Sequence, residues 1–179
     1  MADKTENTIN ETLSIPDKNI VLIGMPTSGK STVGVILAKV LGMDFVDTDI
    51  IIQQKEGLKL NKIIEEKGEE GFLKTEEKAL LDLECENTVI ATGGSAVYSR
   101  SAMEHLKQIS TVVYLRIEPT ELKKRLKDTK ERGVILRPGE SIDEMFRSRA
   151  VLYEKYADIT VSENSKTIED TVRMICDRV

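Results

Sequence analysis

The sequence predicts an α/β fold in which a central five-stranded parallel sheet lies between two layers of helices. Short apolar, β-branched runs such as 19–23, 88–92 and 111–115 have the length and composition of buried strands. Stretches of helical period alternate with these runs along the chain. Because parallel strands need a crossover between them, the alternation indicates a sheet covered on both faces, which is a three-layer α/β/α architecture.

The N-terminal third is predicted to form two strands around one helix. A strand over 19–23 precedes a helix over 30–41, and Gly42 ends that helix before a second strand over 44–47. The expected apolar face of the helix comprises Val33, Ile36, Leu37 and Val40. This strand–helix–strand order is the repeating unit of a parallel sheet.

A long helical region and a second set of alternating elements follow. The region 48–84 is predicted to be largely helical, with breaks at Gly57 and Gly68 and a helix cap at Asn61. The remaining predicted elements are a strand over 88–92, a helix over 101–108, a strand over 111–115, a helix starting near Pro119, a helix capped by Ser141 that reaches about Tyr153, a strand over 158–161 and a helix capped by Thr167.

The chain of 179 residues is expected to form one domain over 17–179, preceded by a flexible N-terminal extension over 1–16. That extension is polar and lacks the features of a signal or transit peptide. The segment of about 128–140 is charged, contains glycine and has few apolar anchors, so we expect a mobile lid there. No apolar run approaches the roughly 18 residues of a membrane span.

The composition narrows the classes of function. Lysine and arginine number 26 and aspartate and glutamate 31, a net charge of −5, and aromatic residues make up 4% of the chain. Nucleic-acid binding normally needs a basic face or stacking platforms, so we expect no nucleic-acid partner. Because no apolar run is long enough to span a membrane, we expect no membrane partner either. Two distant cysteines, Cys85 and Cys176, fit reduced thiols in a cytoplasmic protein, which we expect to be monomeric.

A phosphate-binding loop follows the first predicted strand. The segment Gly24–Ser31 fits the pattern G-x-x-x-x-G-K-[ST] in full and precedes an amphipathic helix. Such a loop curls so that backbone N–H groups surround phosphate oxygens, with Lys30 reaching the β- and γ-phosphates and Ser31 binding Mg²⁺. The predicted fold is therefore a P-loop NTPase fold that binds ATP. The predicted nucleotide-binding residues of the loop are Gly24, Thr27, Ser28, Gly29, Lys30, Ser31 and Thr32.

Two carboxylates follow the second predicted strand. Asp47 and Asp49 lie where that strand ends, and ligands of parallel α/β sheets bind beyond the carboxyl ends of the strands. One carboxylate can hold Mg²⁺ and the other can accept a hydrogen bond from a substrate hydroxyl. The alternative is an ordinary acidic helix N-terminus, where aspartates are favoured.

The ordered set of Asp47-Thr48-Asp49, Thr92-Gly93-Gly94, Arg137-Pro138 and Arg149, after the P-loop, resembles the shikimate kinase family. The resemblance runs from about Asn19 to Val179. It implies an ATP-dependent kinase that uses Mg²⁺ and transfers the γ-phosphate to a hydroxyl of shikimate, giving shikimate 3-phosphate in aromatic amino-acid biosynthesis.

On the nucleotide side, the resemblance implies that Asp47 positions Mg²⁺ beside Ser31. It implies that Arg125 packs on the adenine and that Arg137 closes over the phosphates as a lid residue, with Lys30, Asp49 and Arg137 catalytic. The plainer alternatives are a charged helix face for Arg125 and a solvated loop for Arg137.

On the acceptor side, the resemblance implies that Asp49 binds the acceptor's hydroxyls and that Gly93 lines the acceptor pocket. Gly94 would offer its N–H near the γ-phosphate, and Arg149 would hold the acceptor's carboxylate. The alternative for Arg149 is an ion pair with Glu144 or Glu154 on a helix surface.

Three departures affect the acceptor side. The family usually has an arginine after Phe72 that grips the acceptor's carboxylate, whereas this chain has Leu73, and Lys74 could compensate only by reaching back. Ser95 stands where a third glycine is usual, beside the pocket, and the lid is longer than usual. Glu76, the usual support of that arginine, is present.

These departures keep other functions open. A kinase of the same fold for another small hydroxy acid, such as homoserine or a sugar acid, is the first alternative. A nucleotide-dependent switch without an acceptor is the second, although Asp49 and Arg149 would then have no role.

Overall fold

The structure is a computed structural model that describes residues 18–127, 139–162 and 167–179. The predicted extension over 1–16, most of the predicted lid and Arg137 lie outside the described residues.

A five-stranded sheet forms the centre of the structure, and every pair of neighbouring strands is parallel. This confirms the predicted fold class. The strands are β1 (Asn19–Ile23), β2 (Asp44–Asp47), β3 (Thr88–Ala91), β4 (Ser110–Arg116) and β5 (Ile159–Ser162). Their order across the sheet is β2-β3-β1-β4-β5. The central strand β1 is fully buried, as its continuous apolar run predicts.

Helices cover both faces of the sheet. The seven α-helices of the described residues are α1 (Lys30–Leu41), α2 (Thr48–Glu56), α3 (Leu60–Leu81), α4 (Arg100–Ile109), α5 (Pro119–Lys127), α6 (Ile142–Tyr156) and α7 (Ile168–Cys176). Alternate residues of β1 point to opposite faces. Val21 and Ile23 pack in one core cluster with residues of α3, α4 and α6, and Ile20 and Leu22 pack in the other with residues of α1 and α7. None of the described helices combines the length and the apolar character that a bilayer span requires.

Helix boundaries follow the predicted signals in most places. Gly57 ends α2 in the left-handed conformation, and Gly68 interrupts α3 with φ 69° and ψ 177°. Ser141 and Thr167 both form capping boxes, at the starts of α6 and α7. The predicted cap at Asn61 is wrong, because α3 already begins at Leu60.

The buried face of α1 differs from the predicted one at Val40, whose side chain is 43% exposed. The face that packs on the sheet includes two small residues, Gly34 and Ala38. A Cβ on Gly34 would lie only 2.6 Å from the ring of Phe45, so the glycine allows the helix to approach the sheet closely. The helix therefore turns the side with its small residues towards the sheet, and Val40 lies outside the contact between α1 and the sheet.

The strand order places three loops at one edge of the sheet. β1, β2 and β3 are adjacent and parallel, so their carboxyl ends lie side by side. The P-loop follows β1, Asp47 ends β2, and Gly93-Gly94 follows β3 shortly afterwards. This is the edge at which α/β sheets bind their ligands.

Candidate active site

The P-loop has the backbone that its glycines predict. Gly24 has φ 150°, and a Cβ there would lie 2.6 Å from the carbonyl oxygen of Leu115. Gly29 has φ 84° and precedes the first residue of α1. Thr27 adopts φ 65° without being glycine, a conformation that costs energy and is common at ligand sites. The loop therefore turns sharply between β1 and the N-terminus of α1, which is a suitable site for an anion.

Lys30 is held inside this turn. Its side-chain Nζ donates hydrogen bonds to the carbonyl oxygens of Gly24, at 2.9 Å, and of Met25, at 2.7 Å. The residue is only 7% exposed, although lysine is rarely buried. Ser28 is fully buried behind it, with its hydroxyl 3.5 Å from Nζ. The ammonium charge is thus fixed at the mouth of the P-loop, where phosphate groups would bind.

A cavity of about 650 Å³ opens beside the P-loop and brings together residues from both predicted halves of the site. Its nucleotide-side lining includes Thr27, Gly29, Lys30, Ser31, Thr32 and Asp47. Its acceptor-side lining includes Asp49, Glu76, Gly93, Gly94, Ser95 and Arg149. Residues separated by more than 100 positions in the sequence therefore share one cavity.

The two aspartates occupy different positions in this cavity. Asp47 is the N-cap of α2, and its carboxylate accepts a hydrogen bond of 3.0 Å from the backbone N–H of Asp49. Thr48 between them is fully buried, and its hydroxyl accepts a hydrogen bond of 3.3 Å from the N–H of Gly93. Asp47 therefore does cap a helix, as the plainer interpretation predicts, and it also faces the cavity.

The donor set fits Mg²⁺. The hydroxyl of Ser31 and the carboxylate of Asp47 are hard oxygen donors that line the same cavity. Mg²⁺ usually takes one or two protein ligands of this kind and completes its shell with substrate phosphates and water. The described residues contain no cluster of three or more His, Cys, Asp or Glu side chains that would form a closed metal site.

Close packing explains why glycines follow β3. A Cβ on Gly94 would lie 2.8 Å from the ring of Pro26 in the P-loop. A Cβ on Gly93 would overlap Oε1 of Glu76 and would lie 3.0 Å from Oδ1 of Asp49. The backbone of this segment is therefore pressed between the P-loop on one side and two carboxyl groups on the other.

Arg149 lines the cavity and is buried, with an exposed fraction of 1%. Its Nε donates a 3.1 Å hydrogen bond to the hydroxyl of Tyr98, and its guanidinium carbon lies 5.0 Å from the centre of that ring. Tyr153, one turn further along α6, donates a hydrogen bond of 2.6 Å to the carbonyl oxygen of Gly94. Burial raises the pKa of Tyr153. Arg149 is thus not on a helix surface, the position that the ion-pair alternative requires.

Arg125 lies next to the P-loop. Its Nη1 donates a hydrogen bond of 3.0 Å to the carbonyl oxygen of Thr27, and its Nε pairs with Glu121 at 2.9 Å. The side chain is about one third exposed, 36%. Arg125 therefore forms both an ordinary ion pair on the helix face and a hydrogen bond to the P-loop.

The structure does not bring Lys74 to the cavity. Its Nζ forms an ion pair of 2.8 Å with Glu70 on the same helix, and its side chain is 73% exposed. Leu73 and Lys74 line a neighbouring cavity of about 460 Å³, together with Tyr98. The predicted compensation for the missing arginine by Lys74 is therefore not seen.

Three site residues carried no clear signal in the sequence. Tyr98 is a single tyrosine outside any motif, and Tyr153 ends the segment that carries Arg149 without a predicted role of its own. Only the fold places them against Arg149 and Gly94. The sequence predicts Glu76 only as a support for an arginine that this chain lacks. It is 2% exposed, and burial, followed by the effect of Asp49, raises its pKa to about 7, although its hydrogen bond from Ser95 lowers the pKa.

A P-loop on the central strand of a parallel sheet, facing carboxylates and a buried arginine across one cavity, defines the class of P-loop small-molecule kinases. A family model described as shikimate kinase matches residues 26–179. The chain belongs to the shikimate kinase family.

Individual relatives agree with this assignment. The shikimate kinase of Aquifex aeolicus is 41% identical over 157 residues, which cover 87% of this chain and 92% of that protein. Its crystal structure matches with a TM-score of 0.77 and covers 88% of this chain and 93% of that one. The structure of shikimate kinase from Acinetobacter baumannii in complex with shikimate is 32% identical, with a TM-score of 0.79, and covers 88% and 90% of the two chains. The predictions of an ATP-dependent phosphotransferase, of ATP and Mg²⁺ as its cofactors and of shikimate as its acceptor are thereby confirmed at the level of the family.

Proposed function

We propose that this chain transfers the γ-phosphate of ATP to the 3-hydroxyl of shikimate. One observation carries the proposal, namely that a single cavity contains both the P-loop lysine and the set of Asp49, Gly93 and Arg149. A switch protein without an acceptor would not need the second set. A kinase must hold two substrates side by side so that the reacting oxygen and the phosphorus are in line.

The donor half of the proposed site binds ATP on the P-loop. Backbone N–H groups of the loop and the ammonium of Lys30 hold the phosphates, and Arg125 supports the nucleotide from the edge of the loop. Ser31 and Asp47 hold Mg²⁺, which neutralises phosphate charge when bound. Arg137, outside the described residues, remains a proposed lid residue that supplies a further positive charge.

The acceptor half of the proposed site binds shikimate. Asp49 accepts a hydrogen bond from the hydroxyl that attacks and helps to take its proton. Arg149 holds the acceptor's carboxylate. A buried guanidinium can form two charge-assisted hydrogen bonds with a carboxylate, and these are strongest where water does not compete for them. Gly93 lets the acceptor approach the backbone, and Ser95 lines the pocket next to it.

Catalysis on this geometry consists mostly of orientation and charge neutralisation. The side chain of Tyr153 fixes the backbone of Gly94, which packs on Pro26 of the P-loop. The acceptor and donor halves are therefore joined by a rigid segment rather than by a flexible loop. We propose that Gly94 offers its N–H to the transferring phosphoryl group.

The first test is ADP release from Mg-ATP with the full chain and a panel of acceptors containing shikimate, homoserine and several sugar acids. Strong stimulation by shikimate alone, with a product whose phosphate lies on the 3-hydroxyl by NMR, supports the proposal. Stimulation by another acceptor and not by shikimate would contradict it and would favour a changed substrate. Turnover that no acceptor stimulates would favour the switch.

We further propose that the enzyme acts as a monomer in the cytoplasm, without nucleic acid, and that residues 17–179 form one domain. The net charge of −5 supports the absence of nucleic acid. Light scattering after gel filtration would measure the mass against the 20.0 kDa of one chain. A particle of twice that mass would contradict the monomer.

A further inference from the structure

A buried pair of side chains, Glu76 and Ser95, forms the wall between the active-site cavity and the neighbouring cavity. Glu76 comes from α3 and Ser95 follows β3, and they are 2% and 5% exposed. The hydroxyl of Ser95 donates a 2.6 Å hydrogen bond to Oε2 of Glu76. The pair is therefore fixed at the back of the proposed acceptor site.

The other oxygen of this carboxyl group is unusual. Oε1 of Glu76 is buried and has no hydrogen-bond partner among the described residues. It lies against Gly93, on the side where Oδ1 of Asp49 also approaches. Oxygens of two carboxyl groups therefore lie on the same side of Gly93. An ionised carboxylate with an unpartnered buried oxygen is costly, and a second carboxylate nearby adds to that cost.

Nearby positive groups reduce the energetic cost of ionising Glu76. Arg149 on α6 and Lys30 on α1 both favour the ionised form of Glu76, as does the hydrogen bond from Ser95. Burial and Asp49 on α2 act the other way and prevail, so that the pKa of Glu76 rises from 4.5 to about 7. The carboxyl group is therefore balanced between its two protonation states near neutral pH, and any further charge nearby shifts the balance.

The acceptor's carboxylate would be such a charge. In the proposed function it binds at Arg149, the same guanidinium that favours ionised Glu76. Position 73 holds Leu73, which lines the neighbouring cavity. No arginine at that position can therefore bind either the acceptor's carboxylate or ionised Glu76. Ionised Glu76 and the acceptor's carboxylate then compete for Arg149, and protonated Glu76 does not compete.

We infer that Glu76, fixed by Ser95, is a positioning residue that sets the affinity for acidic acceptors, and that binding of the acceptor's carboxylate at Arg149 is coupled to uptake of one proton by Glu76. The proton comes from the buffer and converts the carboxylate to the carboxylic acid, with no other bond changed. This inference rests on the proposed function, because it needs Arg149 to hold the acceptor.

The sign of the pH dependence follows from this coupling. Below the pKa of Glu76 in the free enzyme, the group already carries its proton and the acceptor binds without competition. As the pH rises through about 7, Glu76 ionises and the KM for the acceptor increases. Coupling to one proton limits the increase to about tenfold per pH unit. The KM for ATP should follow this curve less steeply, because the phosphates bind at Lys30, which acts on Glu76 more weakly than Arg149 does.

The experiment measures both KM values of the full chain from about pH 6 to about pH 8.5 for the wild type, Glu76→Gln and Ser95→Ala. Glutamine has the shape of glutamate and cannot ionise, so the KM for shikimate should become flat over this range. Ser95→Ala removes a hydrogen bond that lowers the pKa of Glu76, so the rise in KM should move to higher pH.

Calorimetry of shikimate binding in buffers of different ionisation enthalpy provides the second readout. Near neutral pH the wild type should take up a fraction of a proton, and Glu76→Gln should take up none. Equal pH dependence and equal proton uptake in wild type and Glu76→Gln would overturn the inference while leaving the kinase assignment intact. Absence of any shikimate binding or turnover by the wild type would instead overturn the proposed function, and the inference with it.

Discussion

The hydroxyl of Tyr153 donates a 2.6 Å hydrogen bond to the carbonyl oxygen of Gly94, and this contact joins α6 to the loop after β3. Gly94 in turn packs against Pro26 of the P-loop. The ring of Tyr153 is fully buried and stacks on Tyr114, with 5.0 Å between ring centres. The helix that carries the proposed carboxylate ligand, Arg149, is therefore tied to the loop that contacts the P-loop.

Tyr153→Phe should weaken this connection without disturbing the core. The phenylalanine ring keeps the stacking on Tyr114, whereas the carbonyl of Gly94 loses its buried donor and Arg149 loses its hydrogen bond to the Tyr153 hydroxyl. Leaving such a group unpaired costs about 1–3 kcal/mol of the free energy of unfolding. Urea denaturation followed by circular dichroism measures the loss. Tyr114→Phe is the matched control, because it keeps the same stacked pair and the bond to Gly94. Equal losses in the two variants would show that the hydrogen bonds of the Tyr153 hydroxyl contribute nothing.

Lys30→Ala should nearly abolish phosphoryl transfer while the protein remains folded. The ammonium is held by two carbonyl oxygens of the P-loop at 2.9 and 2.7 Å, where it can stabilise phosphate charge. Removing a charge placed at the reacting group costs on the order of 10²–10³ in kcat. Lys39→Ala on the exposed side of the same helix is the control. Full kcat in Lys30→Ala, measured by coupled ADP release, would contradict the P-loop assignment.

The fold could be predicted from the sequence because its signals are local. The P-loop pattern requires a strand before it and a helix after it, and the structure has β1 and α1 at those places. Both capping boxes, at Ser141 and Thr167, also depend only on residues three apart. The order of strands across the sheet depends on long-range packing, so alternation of elements alone did not determine it. The same holds for Val40, whose exposure reflects the rotation of α1 towards Gly34.

The candidate site could be predicted only where a residue belongs to a motif. Asp47 ends β2, and Asp49, Gly93 and Gly94 lie shortly after strand ends; the structure places all four at one cavity. The roles of Tyr98, Tyr153 and Glu76 arise from contacts between elements more than 18 residues apart in sequence, such as the hydrogen bond from Ser95 to Glu76. Single residues of these types are common in any chain, so no sequence pattern distinguishes them. Arg137 lies outside the described residues, and its role stays a prediction.

Lys74→Ala should leave the KM for the acceptor unchanged. The side chain of Lys74 is largely exposed and pairs with Glu70, and it does not line the active-site cavity. Exposed ion pairs of this kind contribute little to stability or to a distant site. Steady-state kinetics at saturating ATP tests this expectation. A clear rise in the acceptor's KM would mean that Lys74 reaches the acceptor when it binds, in spite of its position in the structure.

Arg149→Ala should raise the KM for the acceptor far more than the KM for ATP. The guanidinium is buried, contacts Tyr98 and lines the acceptor side of the cavity, whereas the P-loop forms the nucleotide side. Truncating one partner of a buried, hydrogen-bonded charge pair typically costs about 2–5 kcal/mol, so an increase on the order of 10²-fold is expected. Steady-state titrations of each substrate, with the other saturating, measure the two values separately.

Two further variants distinguish loss of a ligand from loss of structure. Arg147→Ala removes an exposed arginine from the same helix and should change neither KM. Arg149→Lys keeps a positive charge but loses the planar fork that can hold a carboxylate through two hydrogen bonds, so its acceptor KM should lie between those of the wild type and Arg149→Ala. If Arg149→Ala raised both KM values equally, Arg149 would act by supporting the fold through Tyr98 and not by holding the acceptor.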